Sequence, residues 1–240
     1  MPTIEQQPLP EIKRYPKYGE QQRGLYSLNL RSGKRKIQKI RAKGSFDRDD
    51  LYWFTTFETL DGFFQNGGGM TFDSDGRGVK MTTAASTNDE QRVYKTFGTY
   101  APDKMTWNKD RKIKFKFSVD SVTAINLWLG NGILSSATTK HIGIKLVDNA
   151  LTGTIADGST EATLSLGNIT ATTIYEIEIR LIAGVSVEFL LDGVSKGFIV
   201  TNLPTGSAIA STYLLWLSVT TTENVAKVLQ VGYFETWQLE

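Results

Sequence analysis

Between residues 111 and 238 the chain repeatedly alternates apolar and polar side chains with a period of two. Only an extended backbone with one buried face accommodates that pattern. In KIKFKFSVD, residues 112–120, Ile113, Phe115, Phe117 and Val119 fall on one face and Lys112, Lys114 and Lys116 on the other. HIGIKLV places Ile142, Ile144 and Leu146 inward and His141, Gly143 and Lys145 outward, so His141 is expected at the surface. TIYEIEIRLIA sets Tyr175, Ile177, Ile179 and Leu181 against Glu176, Glu178 and Arg180. VSVEFLLDG puts Val185, Val187, Phe189 and Leu191 on one side, and Asp192-Gly193 then forms a two-residue hairpin turn. STYLLWLSV and KVLQVGYFETW add two strands rich in aromatic and aliphatic residues. Turn-forming clusters separate the runs: NGGG at 66–69, DSDGRG at 73–78, ADGST at 156–160 and LPTGS at 203–207. No stretch has a helical period. The expected fold is all-β, an antiparallel β-sandwich of the jelly-roll kind.

The first fifty residues follow another rule. Four of the six prolines (Pro2, Pro8, Pro10 and Pro16) lie in the first sixteen positions, where they favour an extended chain without regular hydrogen bonding. Residues 1–50 hold twelve Lys/Arg against six Asp/Glu, a balance of +6, whereas residues 51–240 carry −4. Arg31, Lys34, Arg35, Lys36, Lys39, Arg41 and Lys43 form a basic run without an acid. The predicted organisation is an extended, basic, proline-rich arm over 1–50 and a β-sandwich domain over 51–240. Charge of one sign on the arm recruits a partner of the other. Tyr15 and Tyr18 are candidate anchors, together with the seven basic residues, for docking on a larger assembly.

The order of strands and turns in 51–240 resembles the concanavalin A-like lectin/glucanase jelly roll. FETLDGFF (57–64), TIYEIEIRLIA and VEFLLDGVSKGFIVTNLPTG (187–206) carry the resemblance. It implies a curved sheet containing the 187–199 hairpin and a last strand, 227–238, paired near the first. Sandwiches of this kind with Thr/Gly/Asn-rich loops and a basic arm also resemble bacteriophage virion components, such as head-decoration, head-fibre or tail proteins.

Glu176 and Glu178 share a strand face about 7 Å apart, near the spacing glycosidases use. The resemblance to laminarinase-type enzymes nevertheless fails, because their Glu-x-Asp-x-x-Glu would require Asp at Glu178 and Glu at Leu181. An ordinary charged strand face, with Arg180 partnering a carboxylate, is expected instead. Asp73-Ser-Asp75-Gly76 opens like a calcium loop, but the twelfth position is Ala84, so a tight hairpin is expected there. One histidine and no cysteine leave no multi-histidine or thiolate zinc site. Trp128 and Trp216 lie in apolar runs and are expected in the core, whereas Trp107, in a polar loop, is the candidate glycan platform.

The resulting expectation is a non-enzymatic structural or binding protein of a phage particle, made in the host cytoplasm and joined by its arm to capsid or tail proteins. No catalytic residue, metal or cofactor is expected. The sequence contains no 18-residue apolar run and opens without an apolar leader, so neither a membrane span nor a secretory signal is expected. A homo-oligomer and a cell-surface glycan are further expected partners. The alternatives are a carbohydrate-binding lectin-like module, a glycoside hydrolase, and a nucleic-acid binder acting through residues 31–43.

Overall fold

A computed structural model describes residues 26–28, 37–39, 51–55, 57, 63–67, 70–72, 78–96, 106–132, 139–206 and 213–238. The chain divides into two units, Met1–Arg48 and Asp49–Glu240. In the first, β1 (Tyr26–Leu28) pairs antiparallel with β2 (Ile37–Lys39), Tyr26 opposite Lys39. Tyr-Ser-Leu and Ile-Gln-Lys meet there as a three-residue ladder, and the rest of residues 1–50, where the extended arm is expected, lies outside the described residues.

The second unit opens with β3 (Leu51–Thr55), β4 (Phe64–Asn66), β5 (Met70–Phe72), β6 (Val79–Thr82) and β7 (Glu90–Thr96). Then come β8 (Arg111–Val119), β9 (Ile125–Gly132), β10 (His141–Val147), β11 (Ala150–Ala156) and β12 (Glu161–Asn168). The chain closes with β13 (Tyr175–Ile182), β14 (Ser186–Leu191), β15 (Val194–Ile199), β16 (Tyr213–Thr221) and β17 (Val228–Gln238). One sheet runs β12-β11-β10-β9-β16-β7-β4, and the other runs β15-β14-β13-β8-β17-β6-β5 with β3 also on β17. All these pairings are antiparallel, and no helix occurs among the described residues. The all-β antiparallel sandwich expected from the alternation is therefore the fold.

The inward residues are those the period-two pattern selects. Ile113, Phe115 and Phe117 of β8 are at most 1% exposed, as are Ile177 and Ile179 of β13 and Ile142, Ile144 and Leu146 of β10. Burying side chains of this size contributes about 1.5–3 kcal/mol each. Phe115 stacks on Phe234 of β17 at 5.5 Å. Phe189 of β14 reaches the opposite sheet because Gly153 of β11 has no side chain: a Cβ there would stand 2.6 Å from the Phe189 ring.

The turns follow their sequence signals as well. Asp192 and Gly193 have φ of 51° and 78°, the left-handed pair that a two-residue hairpin requires. The Asp192 carboxylate also accepts the Glu176 backbone N–H at 2.8 Å. β5 and β6 pair with Phe72 opposite Val79, so DSDGRG connects a hairpin, although residues 73–77 themselves lie outside the described ones. Val185 departs from expectation. It sits in the turn between β13 and β14 and is 59% exposed, because the inward row of β14 begins only at Val187. The last strand does pair with the first of the unit, Gln238 opposite Leu51.

Candidate functional site

The outer faces of the two sheets differ in chemistry. On the eight-stranded sheet, β8 and β13 lie in register with Lys112 opposite Arg180, Lys114 opposite Glu178 and Lys116 opposite Glu176. The charges interlock there: Lys112–Glu178 2.9 Å, Lys114–Glu176 2.7 Å, Lys116–Glu176 3.3 Å, and Arg180 to Glu178 at 2.7 Å and Glu188 at 3.2 Å. Tyr233 donates its hydroxyl to Glu176 at 3.1 Å. Desolvation pushes the two carboxyls up, but hydrogen bonds from Lys114 and Lys116 on Glu176, and from Lys112 and Arg180 on Glu178, leave both below the usual range. The charged strand face expected of this pair is present, and both carboxylates stay ionised.

On the seven-stranded sheet the alternation sends Ile125, Leu127 and Leu129 of β9 and Leu215, Leu217 and Val219 of β16 into the core, all 0% exposed. Trp128, Trp216 and Ser218 therefore face outward. Register aligns Tyr94 of β7 with Phe64 of β4 and Trp216 of β16, and Trp216 in turn with Gly130 and Gly143. The rings form a row, Phe64 stacked on Tyr94 at 5.2 Å and Tyr94 on Trp216 at 5.8 Å. Arg92 lies over the Trp216 ring at 4.5 Å while its fork is held by Glu90.

In the neighbouring row, Trp128 stands opposite Lys145 of β10, whose ammonium lies 4.6 Å from the indole centre. From β4 to β10 this face crosses four strand spacings, about 19 Å. Asn126, Thr152, Thr163 and Ser165 line it with amide and hydroxyl groups at outward positions of β9, β11 and β12.

His141 lies under the edge of Trp128, ring centres 6.2 Å apart and planes at 90°. It was expected at the surface, and it does point to the outer face. Its exposure is nevertheless 0%, because the indole, Thr154 and the adjoining strand enclose it. Nδ1 donates to the Thr139 carbonyl at 2.7 Å, Nε2 meets the Thr154 hydroxyl at 3.0 Å, and that hydroxyl lies 2.6 Å from the Glu161 carboxylate. Thr154 has a single hydroxyl proton for two acceptors. Both contacts are hydrogen bonds only when the imidazole or the carboxyl brings a second proton. Burial lowers the imidazole pKa, while the Thr139 carbonyl and Glu161 oppose the shift.

Two tryptophans also differ from expectation. Trp107, the candidate glycan platform, is 1% exposed and has the Arg111 guanidinium over its ring at 4.6 Å. Its polar neighbours are polar because they stitch the loop down. Thr106 N–H donates to Gln238 at 2.9 Å, the Trp107 N–H to the Gly206 carbonyl at 3.2 Å, and the Gly206 N–H to Asn108 at 2.9 Å. Trp107 cannot stack on a sugar in this arrangement. Trp128, expected in the core, is half-buried on the outer face. Trp216 is buried as expected, at 3% exposure, but as part of the aromatic row on the outer face rather than in the core between the sheets.

Of the residues assigned to partner binding, Tyr15, Tyr18, Arg31, Lys34, Arg35, Lys36, Arg41 and Lys43 lie outside the described residues, and Lys39 is placed by its backbone in β2. Asp73 and Asp75 also lie outside. Among the described residues no cluster of His, Asp and Glu could hold a metal ion. No helix long and apolar enough to cross a membrane occurs among the described residues.

No protein-family model and no curated protein sequence matches the chain. Solved structures do. A Bacillus licheniformis β-glucanase is similar at a TM-score of 0.55 and 10% identity, covering 79% of this chain and 98% of its own. A carbohydrate esterase from the Shiga toxin-encoding bacteriophage phi24B is similar at 0.51 and 17%, covering 79% and 98%. The family-7 alginate lyase A1-II′ is similar at 0.51 and 10%, covering 73% and 85%. The shared property is the concanavalin A-like jelly-roll fold.

Proposed function

We propose that this protein binds a saccharide on the outer face of its seven-stranded sheet without cleaving it, and that its N-terminal residues attach it to a larger assembly. What carries the proposal is the pairing of stacked outward rings with small polar side chains. Phe64 and Tyr94 lie in one row, half-buried Trp128 in the next, and Thr152, Thr163 and Ser165 beside them. The C–H face of a pyranose packs on an aromatic ring while its hydroxyls need hydrogen-bonding partners at the rim. β-Glucanase, alginate lyase and the phage esterase are carbohydrate-active proteins with the same fold, which fits a sugar ligand.

Binding without turnover is favoured by the state of the titratable groups. The single histidine is buried, its Nδ1 on the Thr139 carbonyl and its Nε2 facing the Thr154 hydroxyl. Glu176 and Glu178, on the eight-stranded sheet, are held ionised by lysines of the neighbouring strand β8, the reverse of what a general acid needs. The attachment role, in the capsid or tail of a phage particle as a homo-oligomer, draws on the basic run from Arg31 to Lys43 and on the phage setting of one structure with this fold. A glycan array followed by calorimetry tests the first part. Wild type is expected to retain at least one oligosaccharide, and Trp128→Ala to lose it at least tenfold. Cleavage of any polysaccharide in a reducing-end assay would overturn the non-catalytic reading.

A further inference from the structure

We propose that the aromatic face takes an acidic polysaccharide, one bearing carboxylate or sulfate groups, and that Lys145 determines this specificity. The inference rests on the saccharide reading above and adds the charge class of the ligand. The cations around it identify Lys145. On the opposite sheet Lys112, Lys114, Lys116 and Arg180 each lie within 3.3 Å of a glutamate oxygen. On the aromatic face Arg92 is held by Glu90. Lys145 has no carboxylate among the described residues within the 4.0 Å of an ion pair, and its ammonium rests 4.6 Å from the centre of the Trp128 ring. Its three N–H donors therefore have a π-face in place of an anion.

That position has a consequence for selection. A sugar that stacks on Trp128 must displace the ammonium from the same ring. A neutral sugar breaks the cation–π contact and offers the displaced Lys145 only hydroxyls. A sugar with a carboxylate or sulfate at its edge receives the ammonium as an ion pair. Lys145 thus discriminates against neutral ligands while attracting charged ones, and specificity commonly needs both effects. Because residues 51–240 carry a balance of −4, the attraction is local to this face. Binding should then depend on salt about as one or two ion pairs do. Single-stranded nucleic acid is also anionic and stacks on aromatic rings, but it demands a line of cations along its backbone. Among the described residues this face has one cation without a carboxylate partner, Lys145, beside hydroxyl and amide side chains.

The test uses the full chain and calorimetric titration with four probes: an oligogalacturonate, a heparin-derived oligosaccharide, a neutral cello-oligosaccharide and oligo(dT). Wild type is expected to bind one of the two acidic sugars at least tenfold more tightly than the neutral one, and the better of the two separates carboxylate from sulfate recognition. Lys145→Met should weaken acidic binding about tenfold and improve neutral binding, and Lys145→Arg should restore the acidic preference. Circular dichroism on both variants confirms that the sheets are intact. Three results would overturn the proposal: equal or tighter binding of the neutral sugar by wild type, an unchanged acidic-to-neutral ratio in Lys145→Met, or oligo(dT) as the tightest ligand. Trp128-dependent neutral binding without acidic preference removes this inference and leaves the saccharide reading standing. Binding of none of the four removes both.

Discussion

Arg111 enters the interior at the start of β8, on the same inward row as Ile113 and Phe115. Its side chain donates Nη2 to the Thr106 carbonyl at 2.9 Å, whereas Nε and Nη1, like the neighbouring Trp107 Nε1, have no hydrogen-bond partner among the described residues. Desolvation by burial drives its pKa down to about 9. A buried cation in that state costs several kcal/mol. Arg111→Met keeps most of the volume and removes the charge, and it should raise the melting temperature, with a gain of about 1–4 kcal/mol. A drop in melting temperature would show that the guanidinium is compensated after all. His141 gives a second prediction. Burial holds its pKa below the ordinary 6.5, so its contribution to stability is complete above pH 6.5 and is lost as pH falls through the lower folded value. The limiting slope is about 1.4 kcal/mol per pH unit. With Glu161 and Lys145 as the charges facing it, His141→Gln should flatten the decline in melting temperature between pH 7 and pH 5. An unchanged decline would assign the acid sensitivity to other groups.

At the level of the strand, the two sheets respond differently to substitution. Glu176→Gln and Glu178→Gln, singly or together, should leave saccharide binding intact and cost at most about 1 kcal/mol per exposed ion pair lost. Loss of binding in either variant would move the site to the eight-stranded sheet. Gly153→Ala places a methyl against Phe189 across the sandwich and should destabilise by about 1–3 kcal/mol, readable by urea denaturation. A neutral effect would mean that Phe189 can swing aside. The strands themselves were legible in the sequence wherever one face was apolar, as in β8, β10 and β13, because a period of two is a local property. The aromatic row was not, since Phe64, Tyr94 and Trp216 come from three strands distant in the chain and meet only through register. Trp128 was half legible: its alternation with Leu127 and Leu129 points it outward, but the apolar run around it suggested the core. Trp107 misled in the other direction, because a polar loop signals hydrogen bonding as well as exposure, and here Thr106 and Asn108 close the loop over Arg111.

For the whole chain, the proposed division of labour is tested by removing residues 1–48. The remaining unit contains both large sheets and their shared core, so it should stay folded with an unchanged β-type circular dichroism spectrum and intact glycan binding. It should no longer join its assembly, and reversing the charges of Lys34, Arg35 and Lys36 should weaken joining in a salt-dependent way. Assembly of the truncated protein at normal occupancy would place the attachment surface on the sandwich. The pairing of β3 with β17 bears on how such a unit is made. Leu51 and Gln238 are partners in one ladder, yet almost the whole domain separates them in the chain. β17 also carries β8 and β6, so β3, β5 and β6 have no route to the rest of the eight-stranded sheet until β17 is in place. Closing this sheet must wait until residues 228–238 have been made. The same adjacency makes the body a cassette: a few residues linking position 51 to position 238 would close it into a ring, from which new termini could be opened at the 192–193 hairpin.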